Sequence, residues 1–177
     1  MAGGDGRMTR RAEARGAVLR RVVSGGQTGV DRAALDAGLA LGMPVGGWCP
    51  RGRRAEDGPL DPRYPLEETP SRDYAERTAW NVRDADATLV LTRGRPTGGT
   101  ALTIEEAGRQ GKPHLVVDLA GGPVAADAAE WIAERGVGVL NVAGPRESQQ
   151  PGIHAEARRF LLEMLEDLTA SRRPGPS

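Results

Sequence analysis

"DATLVLTRGRPTGGTALTIEEAG", residues 86–108, runs from an apolar stretch through a glycine turn into a helical pattern, the repeating unit of an α/β fold. Residues 86–92 are the cleanest strand of the chain, a near-continuous apolar run of the kind buried on both faces of a parallel sheet. Residues 99–110 read as a helix. Outward from this unit the same alternation repeats. Upstream, residues 19–24 read as a strand, 30–42 as a helix closed by Gly42, and 44–49 as a second strand. The proline- and charge-rich residues 50–63 read as a surface excursion, followed by a short strand at 64–69. A helix follows from Ser71 to about Arg83, capped by Ser71 with Asp73 in its first turn. Downstream come a strand at 113–119, a helix at 124–135, a strand at 137–143 and a last helix at 153–169. In that helix Ile153, Ala157, Phe160, Leu161, Met164, Leu165 and Leu168 recur at three- and four-residue intervals. The pattern predicts an α/β sandwich on a mostly parallel sheet.

Length and composition bound the rest. A chain of 177 residues reads as one domain, 18–170, between disordered tails at 1–17 and 171–177. Formal net charge is zero, but Arg7, Arg10, Arg11, Arg15, Arg172 and Arg173 lie in the tails against only Asp5 and Glu13. The body is therefore net acidic, which argues against a nucleic-acid-binding body. Cys49 is the single cysteine, so an intramolecular disulfide and a multi-cysteine metal site are both excluded. His114 and His154 stand in no ligand spacing, and no dedicated protein metal site is expected. No run approaches the ~18–20 apolar residues that cross a bilayer, so a cytoplasmic protein without membrane attachment is expected.

Ligands of open α/β sheets gather beyond the carboxyl ends of the strands. Three turns there are unusual. "SGGQTGVDR", 24–32, offers Ser24, Gly25, Gly26, Gln27, Thr28 and Gly29 at a helix start, with Asp31 and Arg32 just inside it. Glycines allow close backbone approach, and free amides at the positive helix end favour an anion. The spacing matches neither a Walker A loop nor G-x-G-x-x-G. A second cradle is Thr97, Gly98, Gly99 and Thr100, with Glu105 further along its helix. The third, "LNVAGPRES", carries Asn141, Gly144, Arg146 and Ser148, a charged fork and a hydroxyl for phosphate. Arg93 and Arg95 lie close by in sequence. Together these residues predict a cleft for a small phosphorylated ligand.

The blocks "SGGQTGVDRAALDAG", "DATLVLTRGRPTGGTALTIEEA", "GKPHLVVDL" and "LNVAGPRESQQPGI" resemble the signature stretches of the molybdenum carrier family, the molybdenum cofactor carrier proteins. The resemblance runs from about Val22 to Phe160. It implies a Rossmann-like fold, in the superfamily that also holds the LOG-type phosphoribohydrolases and DNA-processing protein A. With the glycine turns it leads us to expect about six strands in the order 3-2-1-4-5-6. It implies binding, protection and transfer of the molybdenum cofactor, a phosphorylated molybdopterin, to apo-molybdoenzymes by a homo-oligomer. The superfamily also supplies an alternative, nucleoside-monophosphate N-glycosidase activity using Glu105 and Arg77. Ala101 and Leu102 stand where the hydrolase motif has Gly and Thr. A nucleotide-derivative sensor without chemistry is the remaining alternative.

Overall fold

The structure, a computed structural model, describes residues 18–170. Both expected tails lie outside the described residues. Strand β1 (Arg21–Val23) leads into α1 (Val30–Ala40), then β2 (Val45–Gly46) and β3 (Trp48–Cys49). The excursion forms a hairpin of β4 (Arg54–Ala55) and β5 (Gly58–Pro59), and β6 (Glu67–Glu68) follows. Then come α2 (Tyr74–Asp84), β7 (Ala87–Thr92), α3 (Gly98–Arg109), β8 (His114–Asp118), a 3-10 turn at Leu119–Gly121, α4 (Ala125–Glu134), β9 (Val139–Ala143) and α5 (Ile153–Ala170).

The central sheet has five strands, all parallel, in the order β2-β1-β9-β7-β8. Helices cover both faces, because α1 and α4 each pack on α5 while α2 packs on α3. Crossover handedness explains this division. The steps β1 to β2 and β8 to β9 run in one direction along the sheet, and β7 to β8 runs in the other. Right-handed crossovers therefore put α1 and α4 on one face and α3 on the opposite one. The molecule is a Rossmann-like three-layer sandwich, as expected from its sequence.

The expected strand order 3-2-1-4-5-6 needs correction. The last strand, β9, is not at an edge but lies between β1 and β7. Four of its five residues are buried, whereas β8 alternates exposed and half-buried positions and takes the edge. Side chains pin β9 in place: Ser24 Oγ donates to Val142 O at 2.9 Å, and Asp86 Oδ2 accepts from the amides of Gly138 and Val139 at 2.9 and 2.8 Å. The segment at 64–69 does not join the central sheet. Its two strand residues, Glu67 and Glu68, pair in parallel with Trp48 and Cys49. That pairing is possible because the strand expected at 44–49 breaks at Gly47, whose φ of +123° no other residue adopts readily. The helix expected from Ser71 begins at Tyr74; the Ser71 hydroxyl instead accepts from the amide of Asp73 at 3.0 Å.

Placing β9 centrally presses its exit against the first glycine turn. Val30 N donates to Pro145 O at 3.2 Å, and Gly29 adopts φ +77°. A Cβ on Gly29 would lie 2.3 Å from Pro145 O and 2.8 Å from Glu147 N. Gly29→Ala combines left-handed strain with a backbone clash and is expected to lower unfolding free energy by about 3 kcal/mol, read from urea melts.

Candidate ligand-binding site

A cavity of about 220 Å³ opens beyond the carboxyl ends of β1, β9 and β7. All three glycine turns contribute to its wall: Gly25, Gln27 and Asp31 from the first, Gly99 and Thr100 from the second, and Asn141, Gly144 and Arg146 from the third. Arg77, from the alternative hydrolytic pair, lines it as well. The interposed β9 is the reason these loops meet, since its exit lies between the other two.

Several candidates from the sequence have other work. Ser24 bonds β9, and Gly26 faces Leu60 and Leu66. Thr28 Oγ1 donates to Glu56 and accepts from Glu147 N at 3.1 Å. Arg32 binds Asp57 at 2.5 and 3.1 Å and Gly26 O at 3.1 Å. The first turn therefore uses Thr28 and Arg32 to hold the β4–β5 hairpin. Ser148 Oγ donates to Glu56 Oε2 at 2.6 Å. Arg93 clasps Glu156 and Pro151 O, and Arg95 is exposed. Thr97 and Gly98 form the start of α3 without lining the cavity, and Glu105 is exposed on that helix away from it. Cys49 is buried in the core.

Helix α2 supplies three residues that sequence reasoning missed, Tyr74, Thr78 and Asn81, beside the Arg77 it had named. Tyr74, Arg77, Thr78 and Asn81 all line the cavity, at spacings of three, four and seven residues. A polar stripe at that period, on the face where a sheet-packing helix should be apolar, was the available signal. Arg77 is buried, donates from Nη1 to Gly25 O at 2.7 Å and lies 3.8 Å from Asp31 Oδ2. Its Nε reaches Thr78 Oγ1 at 3.3 Å. Three guanidinium groups surround the Tyr74 ring, those of Arg54, Arg77 and Arg146 at 5.0, 5.0 and 5.6 Å from its centre. Such a gathering of cations favours an anion.

Other donors point the same way. Gln27 is 4% exposed, its Oε1 accepts from Thr28 N and Glu56 N, and its Nε2 is buried without a partner among the described residues. Helix α3 has no side-chain cap; Thr100 and Ala101 amides turn back to Thr97 O, and those of Gly98 and Gly99 remain at its positive end. Among the described residues no group of three or more His, Cys, Asp or Glu side chains could hold a metal ion. The donor set suits the anionic and polar organic part of a ligand.

Asp31 is the cavity's carboxylate. Burial pushes its pKa up from 3.8 to about 6, against the opposing pull of Arg77 and the Gln27 amide. The folded state thus binds its proton more tightly than the unfolded chain does. The stabilising contribution is full below pH about 4 and is lost as pH rises through about 6. Asp31→Asn is expected to abolish this fall, worth about 2 kcal/mol between the two conditions, in urea melts compared at pH ~4.5 and ~7.

Fold and cavity define the class: a Rossmann-like protein with a cavity, lined by Arg77 and Arg146, at the carboxyl edge of its parallel sheet. Residues 22–165 match the Circularly permutated YpsA SLOG family, cpYpsA, and the chain belongs to that family. Among solved structures it is similar to a protein of Syntrophus aciditrophicus SB named "Putative molybdenum carrier protein", with 41% sequence identity and a TM-score of 0.78. That likeness covers 84% of this chain and 96% of the other. No curated protein matches the chain. No helix among the described residues is long and apolar enough to cross a membrane.

Proposed function

We propose that this protein is a carrier that binds the molybdenum cofactor, shields it and passes it to apo-molybdoenzymes. The observation that carries the reading is the convergence on one cavity of Arg77, Arg146, the unpartnered Gln27 Nε2 and the uncapped start of α3. The solved relative named as a molybdenum carrier supports the choice of cargo. In this reading Arg146 holds the phosphate, while Arg77 and the positive end of α3 add the favourable potential of the cavity. Gln27, Thr100 and Asn141 offer hydrogen bonds to the pterin, and Tyr74 gives the ring system a flat apolar neighbour. The metal is carried by the dithiolene of the cargo itself. Release requires no bond-making by the protein, only loss of these contacts. The homo-oligomer implied by family resemblance is part of the same proposal, and analytical ultracentrifugation reads it directly.

Arg77 also belongs to the N-glycosidase alternative, but its partner Glu105 is exposed and does not line the cavity. The two readings separate in one pair of assays. A carrier slows oxidative decay of added cofactor in stoichiometric proportion and releases no ribose 5-phosphate from nucleoside monophosphates. Release of ribose 5-phosphate, lost in Glu105→Ala, together with no protection of the cofactor, would overturn the proposal.

A further inference from the structure

The loop after β9 and the first glycine turn together present a set of anion donors, and they are engaged by the protein's own carboxylate. Glu56, at the tip of the β4–β5 hairpin, accepts from Ser148 N at 3.2 Å and Ser148 Oγ at 2.6 Å. Thr28 Oγ1 donates to the same carboxylate, and Arg146 Nη1 lies 3.9 Å away. One amide, two hydroxyls and a guanidinium, drawn from two different glycine turns, are the usual equipment of a phosphate site. Burial pushes the Glu56 pKa up, but the bonds from Ser148 and Thr28 and the charge of Arg146 outweigh it, so the group lies below the usual range and is ionised.

We infer that Glu56 is a built-in competitor for a phosphate monoester: the phosphate of the ligand takes over Ser148, Thr28 and Arg146 as the Glu56 side chain swings out. Its backbone need not move. Glu56 N is held by Gln27 Oε1 at 2.8 Å, and Asp57 by Arg32 at 2.5 Å, so the hairpin stays anchored while one side chain rotates. The exchange trades one anion for another on the same donors. Binding is then weaker than the donor set alone would give, and the returning carboxylate satisfies the donors when the phosphate leaves. A protein that must hand on its ligand gains a release step from this arrangement. The inference rests on the proposed reading only in taking the ligand to be a phosphate monoester.

The test uses inorganic phosphate and a simple phosphate monoester, with no pterin, so its outcome is readable whether or not the cofactor is the cargo. Calorimetric titration at low salt compares the wild type with Glu56→Gln, Glu56→Ala and the control Asp57→Asn. Both Glu56 variants are expected to bind phosphate about tenfold more tightly, with less than about twofold change in the control. Adding Ser148→Ala to Glu56→Gln is expected to remove the gain, and the Ser148 amide resonance should shift on titration. A Glu56→Gln protein with an intact urea transition and unchanged or weaker phosphate affinity would overturn the inference. So would an equal gain in Asp57→Asn, which would reduce the effect to a general change of charge.

Discussion

Arg77→Met is expected to weaken binding of phosphate esters by about a hundredfold and to lower stability at neutral pH by about 3 kcal/mol. The loss of affinity follows from removing the buried cation of the cavity. The loss of stability follows from what remains. Asp31, also buried, loses the cation 3.8 Å away, whose pull is the largest one holding its pKa down, so that pKa moves above the wild-type value of about 6, while Gly25 O loses its donor at 2.7 Å. As pH falls Asp31 takes up a proton and the uncompensated charge disappears, so the deficit in urea melts should shrink toward pH ~5. Arg77→Met/Asp31→Asn is expected to recover most of the stability at neutral pH and none of the binding. Recovery of binding in the double variant would show that Arg77 serves the ligand only by neutralising Asp31.

Arg146→Ala separates the two effects. Its side chain is 34% exposed, and its contact with Glu56 is a loose 3.9 Å. Such a pair contributes at most about 1 kcal/mol, so the melt should hardly move. Affinity for a phosphate monoester should fall by about tenfold or more, with a shallower salt dependence, because a guanidinium facing the ligand is lost. Full retention of ligand by Arg146→Ala would return residues 144–148 to the role of a strand exit.

Much of the fold was legible because parallel strands buried on both faces announce themselves: Ala87–Thr92 is buried along its whole length, as its apolar run predicts. Strand order was not, because order depends on which runs need two neighbours. The nearly continuous burial of Val139–Ala143 and the alternating exposure of His114–Asp118 emerge only when the sheet is assembled. Gly47 ended one expected strand early through a backbone conformation that composition does not reveal.

The site was legible in part for a related reason. Glycine turns mark where backbone comes close, and all three turns do meet at the cavity. They do not tell ligand contacts from loop clasps, and Thr28, Arg32 and Ser148 serve as clasps to Glu56 and Asp57. Those partners come from residues 50–63, whose charge reads as ordinary surface until the hairpin folds back. The stripe Tyr74, Arg77, Thr78 and Asn81 was available as a helical period of polar residues, and its meaning depended on knowing that this face looks at the sheet.

On the proposed reading, the cavity carries a phosphorylated pterin with its metal. The direct measurement is mass spectrometry with metal analysis on protein expressed in a cofactor-producing host and purified gently without oxidation. About one molybdenum and one oxidisable pterin per chain are expected at saturation, both lost in Arg77→Met. Recovery of the folded protein with neither molybdenum nor pterin, or with a nucleotide in their place, would contradict it.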